Sequence, residues 1–402
     1  MNATLSSIRR LRPRRSTRLR LSSFFGILCV AVLATAPGTA QADYTFTPIA
    51  DSTGPFSSFG IPPTLNATGT AAFFASLDNG SSGVFKGNGG IVTTIGVNAL
   101  PFGGNTFPTI NQAGTVAFAA FEWNGVEQRI LAGNGGPLIT IADIAGPFRD
   151  FSGGYSTSIN TSGAVAFKAS LDVGPGGIFV SNAGIVTQVF TNSASLSTSG
   201  SISINDAGTI AFRRGIGTAI YTVNGGLITT IADSSGPFNY FSIPTSINNA
   251  GTVAFGAGVG GADGGVFGIY KGNGGPLTTI ADISGPFSYL GDFGFQTASS
   301  INDAGMVAFN AALDIGGGGV FVGDGIFTNK VIGAGDPLFG STVIGAGVSP
   351  TSLNNNGQVA FAYTLANGTT GIAIANPVPE PSTAALLGAA MAALGFSRRR
   401  QR

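Results

Sequence analysis

Residues 248 to 255 read NNAGTVAF, and the same spacing N-x-x-G-x-x-A-F returns six more times along the chain. The copies begin at Asn66, Asn111, Asn160, Asn205, Asn302 and Asn354, so the steps from one copy to the next are 45, 49, 45, 43, 54 and 52 residues. A pattern that recurs at a mean period of 48 residues is the mark of a repeat architecture, and it outranks any local propensity argument.

Working outward from one copy, residues 243 to 282 alternate β-prone runs with turn residues: IPTSI, NNAG, TVAFGA, a Gly-rich loop, VFGIY, KGNGG and PLTTIAD. Four short strands joined by tight turns form a meander. The N-x-x-G turn suits a reversal because Asn bonds nearby backbone while Gly takes positive φ. G-N-G-G at 87–90, 133–136 and 272–275 does the same between the third and fourth strands. Alanine followed by phenylalanine puts a small side chain on one face of the second strand and a large one on the other, which suits sheets packed face to face.

Four strands in about 48 residues, seven times over, predict an all-β seven-bladed propeller. The ends favour closure. Fourth strands are expected at 91–97, 138–143, 185–190, 227–233, 277–282 and 326–332, whereas the seventh unit ends at TGIAIAN, 370–376. YTFTPIAD at 44–51 matches fourth-strand text such as TTIAD and precedes the first unit. The N-terminal strand is therefore expected to complete the last blade and remove two unpaired edges. An open stack of β units is the alternative, and it has no need of that exchange.

Over residues 44 to 376 the repeat resembles the tandem-repeat surface proteins named for N-x-x-G-x-x-A-F, whose members carry varied anchoring tails. The resemblance implies secretion and surface attachment and leaves the chemistry open.

The two ends of the 402-residue chain read as addresses. Seven arginines and no acid fill residues 1 to 20, and Leu21 to Ala36 are apolar, which is the layout of a signal peptide. Ala40 and Ala42 supply an A-x-A cleavage site that leaves Asp43 as the first mature residue, giving domains of 1–42, 43–377 and 378–402. The apolar run is shorter than the roughly 20 residues of a membrane span. Residues 378–402, VPEPSTAALLGAAMAALGFSRRRQR, resemble a PEP-CTERM sorting signal. Its three parts are Pro379-Glu380-Pro381, an apolar stretch from 384 to 396 that forms a short transmembrane segment, and Arg398, Arg399 and Arg400. The arginines hold the C-terminus on the cytoplasmic side, and the prolines keep the motif extended. Signal peptidase and an exosortase are the implied processing partners, with the membrane engaged only through the tail before it is cut.

Exclusions follow from composition. Cys29, the only cysteine, lies inside the signal peptide, and the chain has no histidine. The mature chain therefore lacks disulfides, thiolate or imidazole zinc sites, cysteine nucleophiles and a Ser-His-Asp arrangement. Residues 43 to 379 carry 8 basic and 17 acidic side chains, a balance of −9, so a nucleic-acid partner is not expected.

Candidate chemistry is sparse. Asp143, Asp233 and Asp282 at strand ends and Asp206 and Asp303 in turns have the oxygen chemistry of a calcium site, but carboxylates that cap turns explain them more simply, and no cofactor is expected. Asp78, Asp172 and Asp314 in L-D-x-G contexts are read the same way. FEWNGVEQR, 121–129, holds Glu122, Trp123 and Glu127, an aromatic beside two carboxylates that suits sugar contact, or glycoside cleavage if the acids lie about 5 to 10 Å apart. An exposed hairpin is the plainer reading. Arg213-Arg214, replacing the small residues that follow A-F elsewhere, is read as a solvated edge. The expected function is a noncatalytic surface or matrix component that binds polysaccharide or other surface proteins. An extracellular polysaccharide hydrolase or lyase is the competing class, to be judged by whether Glu122, Glu127, Asp150, Asp263 or Asp292 converge beside an aromatic.

Overall fold

The computed structural model describes residues 44–97, 107–121, 127–151, 157–193, 198–214, 217–242, 245–259, 268–291 and 299–378. These residues build seven small antiparallel sheets arranged as the blades of a propeller. The second strands of the blades are Ala71–Leu77, Val116–Phe121, Val165–Leu171, Ile210–Arg214, Val253–Gly258, Val307–Leu313 and Val359–Leu365. Each contains the A-F pair of its repeat.

The alternation sets the packing. Ala72 of blade one joins Phe118 and Val116 of blade two, whereas its neighbour Phe73 turns the other way to Ile372 and Ile374 of blade seven. All seven A-F phenylalanines are fully buried. In blade one Phe73 stacks on Phe85, with ring centres 5.9 Å apart, and Phe56 meets Phe85 edge-on at 5.1 Å. Phe148, Phe167 and Phe179 repeat this cluster in blade three, as do Phe287, Phe309 and Phe321 in blade six. Offset and edge-on rings of this kind add to the area they bury.

Closure occurs as the sequence predicts. Tyr44–Asp51 is the outermost strand of blade seven and pairs antiparallel with Thr370–Pro377, from Tyr44 opposite Pro377 to Asp51 opposite Gly371. Pro48, which cannot donate to a ladder, is tolerated on this edge strand at a bulge. Ile49 is buried, and Phe46 lies edge-on to Phe361 at 5.9 Å. A ring sealed by its own first strand excludes the open stack.

The observed fourth strands start one or two residues later than expected in four of six blades, for instance Thr93–Val97 and Thr278–Asp282. The innermost strand departs further. In blades one, three, five and six it is two short pieces pairing with one second strand, such as Phe287–Leu290 and Ser299–Ile301 against Val307–Leu313. The extra piece begins at the phenylalanine of A-D-x-x-G-P-F in blades one, three and six, and two residues after it in blade five; the motif is found at 50–56, 142–148, 232–238 and 281–287. This second repeated motif carries the chain from one blade to the next.

Candidate functional site

The turn asparagines do more than reverse the chain. Each is about 95% buried, and in six of the seven copies the side-chain amide donates to the main-chain carbonyl of the equivalent asparagine one blade on. The bonds are Asn66 to Asn111 at 3.0 Å, Asn160 to Asn205 at 3.2 Å, Asn205 to Asn248 at 3.0 Å, Asn248 to Asn302 at 3.0 Å and Asn302 to Asn354 at 3.1 Å. Asn354 donates to the Asn66 carbonyl at 3.0 Å, across the junction of last and first blades. Each Oδ1 meanwhile accepts the N–H four residues on, for example Thr70 at 2.8 Å and Gln358 at 3.0 Å. Only asparagine places a donor and an acceptor at this short reach, which accounts for its recurrence. The turn glycines all take positive φ, from 74° at Gly357 to 86° at Gly163.

With six of these asparagines, Leu65, Ile110, Ile159, Ile204, Ile247, Ile301 and Leu353 line an open funnel. At its rim an arc across blades four to seven alternates acids and amides, Asp206, Asn249, Asp303 and Asn355. Asn249 N–H donates to Asp303 at 2.8 Å and Asn355 Nδ2 to Asp303 at 2.7 Å, while Asn249 Nδ2 donates to Asp206 at 3.0 Å. Asp206 and Asp303 are thus held by amides. Asp143, Asp233 and Asp282 each accept the backbone N–H two residues on, at 3.1, 3.0 and 2.9 Å. The Ser235 hydroxyl, and after it the Ser235 backbone N–H, hold the Asp233 carboxyl below the usual carboxylate range. Asp78, Asp172 and Asp314 are exposed, and their N–H groups donate to the prolines of the G-P-F motifs at 3.1, 3.0 and 2.9 Å. Among the described residues no three acidic or other metal-ligating side chains gather in one place.

The other sequence candidates divide. Glu127 forms an exposed ion pair with Arg129 at 2.9 Å, of a kind worth little to stability. Glu122, Trp123, Asp263 and Asp292 lie outside the described residues, as do Ala40, Ala42, Asp43 and the tail residues Pro379, Glu380, Pro381, Arg398, Arg399 and Arg400. Arg213 corrects the expectation of a solvated edge. It is 8% exposed, and its guanidinium donates to the Phe241 carbonyl at 2.9 Å and to the Tyr240 hydroxyl, both in blade five. The position after A-F lies between blades, so a long side chain there must turn inward.

The same position in blade three holds Lys168, 5% exposed. Burial, reinforced by the charge of Arg213, pushes it down from 10.5 to about 8, with Asp150 acting weakly in the opposite sense. Asp150 pairs with Ser170, which places it diagonally across the ladder from Lys168. In the other blades this position is Phe74, Ala119, Gly256, Asn310 or Ala362. Asn310 is also buried, with Oδ1 accepting from Val348 N–H at 3.1 Å and Nδ2 without a partner among the described residues. Departure from the repeat consensus was the available signal for Lys168.

Sequence comparison matches residues 187–342 and 338–385 to a family of unknown function, DUF7453. The resemblance to the N-x-x-G-x-x-A-F surface proteins rests on the repeat residues alone. No curated protein matches the chain. Among solved structures, the oligogalacturonate lyase of Vibrio parahaemolyticus is similar with a TM-score of 0.51 and 14% identity, covering 85% of this chain and 99% of that one. An oligogalacturonate lyase in complex with manganese gives 0.53 and 10%, covering 84% and 99%. A puromycin-hydrolysing peptidase of Mycobacterium tuberculosis gives 0.52 and 12%, covering 82% and 52%. At these identities the likeness is one of fold. The C-terminal residues 377–401 match the PEP-CTERM protein-sorting motif, and the chain therefore carries a sorting signal directly after its last propeller strand.

Proposed function

We propose that the protein is exported, cut at its C-terminal sorting signal by an exosortase, and serves at the cell surface or in the extracellular matrix as a noncatalytic binding or structural propeller. The sorting-motif match over 377–401 carries this reading. The signal-peptide layout of residues 1–42, the repeat's likeness to surface proteins and the placing of the ends support it. Tyr44 lies opposite Pro377, so both processing segments join the ring at one corner of blade seven and can be removed without breaking a strand. That corner is on the N-x-x-G side, since a Cβ on Gly357 would lie 3.4 Å from Pro377. Six residues, 378–383, separate the last strand from the apolar run and reach at most about 20 Å. Before cleavage the N-x-x-G side is thus drawn toward the membrane, which leaves the opposite side to bind polysaccharide or surface proteins.

Changing Glu380 to Ala in the native host tests the reading. An uncut, membrane-retained precursor, heavier by the tail and missing from the extracellular fraction, is expected. Normal mass and yield at the outer surface would refute the sorting role, and the tail would then be an ordinary anchor.

A further inference from the structure

The hairpins that join third and fourth strands lie beside the N-x-x-G turns. Asn134 Nδ2 donates to the Ala113 carbonyl at 3.2 Å and Asn224 Nδ2 to Thr209 Oγ1 at 2.9 Å, while Lys271 Nζ ties the Gly305 turn to the Asp324 hairpin through their carbonyls at 2.7 and 2.9 Å. One position of this hairpin stands out when the six are aligned by strand pairing. It lies two residues ahead of Thr93 in blade one and of its counterparts in blades two to six, and it holds Ile91, Pro137, Ile185, Leu227, Pro276 and Phe327. All six are apolar and all six are exposed, the non-prolines from 58% at Phe327 to 94% at Ile91. Ile139 and Ile326 beside them are exposed as well. A lone aliphatic side chain in solvent is ordinary. An outward position that is apolar in every blade with the hairpin, within turns otherwise built of Gly, Asn and Asp, makes a ring around the N-x-x-G side.

We infer that this ring docks the propeller, N-x-x-G side down, on the lipid bilayer that holds its sorting tail. The occupant follows from where the chain leaves the fold. Pro377 ends the last strand on this side, Val378 is exposed, and residues 378–383 put at most about 20 Å of chain between the ring and the apolar run of the tail. Ring and bilayer are thus held within one short tether. The excess of nine acids over residues 43 to 379 gives acidic headgroups nothing to attract, so the contact is made by apolar side chains entering the interface. A shallow contact of this kind is weak alone and adds to a membrane segment while both are present. Docking therefore keeps Pro379-Glu380-Pro381 close to the bilayer until it is cut, and cutting lets the body leave. The inference rests on the sorting role proposed above and adds a second membrane contact to the tail.

The test is flotation of the mature 43–377 body, secreted from the full chain, with vesicles of phosphatidylcholine and with vesicles of phosphatidylcholine and phosphatidylglycerol. Saturable flotation with phosphatidylcholine is expected, no stronger when phosphatidylglycerol is added. Ile185→Ser with Leu227→Ser should weaken it about 10-fold, the least that partial burial of two aliphatic side chains supplies. Val173→Ser with Ile315→Ser should leave it unchanged, because these equally exposed residues lie in the loops after Leu171 and Leu313, at the opposite end of the second strands. Ile91→Ser with Phe327→Ser takes the place of the first pair should that pair not fold. No flotation, flotation that requires phosphatidylglycerol, or an equal effect of the two pairs would overturn the bilayer contact. So would a dimer in sedimentation velocity that Ile185→Ser with Leu227→Ser dissolves, since a second copy would then cover the ring. Tail cleavage is read separately by fractionation of the Glu380→Ala chain, so loss of flotation leaves the sorting role standing.

Discussion

Replacing Lys168 by Met should stabilise the protein at neutral pH. The ammonium sits at about 8 in the fold against 10.5 when exposed, and at 1.36 kcal/mol per unit this depression corresponds to about 3 kcal/mol of destabilisation borne by the charged form. A lowered lysine binds fewer protons folded than unfolded, so stability rises as pH climbs between the two values. The penalty is therefore complete below about pH 8 and gone near 10.5. Methionine fills a similar volume without the charge, and the advantage of the variant should reach roughly 5 °C at pH 7 for a domain of this size. Thermal melts of both proteins from pH 6 to pH 10.5 check it. The difference should narrow steadily above pH 8, because groups common to both proteins cancel. A destabilised variant, or a difference that is the same at pH 7 and pH 10, would show that Lys168 is already paired and that the cluster is an internal ion pair.

Deleting residues 44–51 removes the outer strand of blade seven with the buried Ile49 and the half-buried Phe46 against Phe361, and should lower the midpoint sharply; burial of Ile49 alone is worth about 1.5 to 3 kcal/mol. An unchanged midpoint would contradict ring closure. Asn354→Ala strips a donor from the buried Asn66 carbonyl and an acceptor from Gln358 N–H, and denaturant unfolding should show a loss of about 2 to 4 kcal/mol. Glu122→Gln with Glu127→Gln should leave unfolding and surface attachment unaltered, and loss of a polysaccharide-degrading activity in that double variant would overturn the noncatalytic reading.

The sequence by itself determined the architecture and the addresses. A 48-residue period, strand-length runs between Gly-rich turns, and a first strand that matches the one missing from the last unit were enough to specify seven blades and their closure, because each of these is a local pattern repeated in register. The alternation of Ala and Phe gave the blade-to-blade packing for the same reason. What only the tertiary structure decided lies where residues far apart meet. Asn66 and Asn354 are 288 positions apart, and their bond exists because the ring brings the first and last turns together. The split innermost strands were missed although A-D-x-x-G-P-F repeats four times, since a two-residue strand has no periodicity of its own. Arg213 reads as a surface residue because a charged pair usually seeks water, and Lys168 lies in a strand of ordinary composition. Their burial is set by the neighbouring blade, whose inner face closes over the position after A-F, and no pattern within a single repeat encodes what the next one places against it.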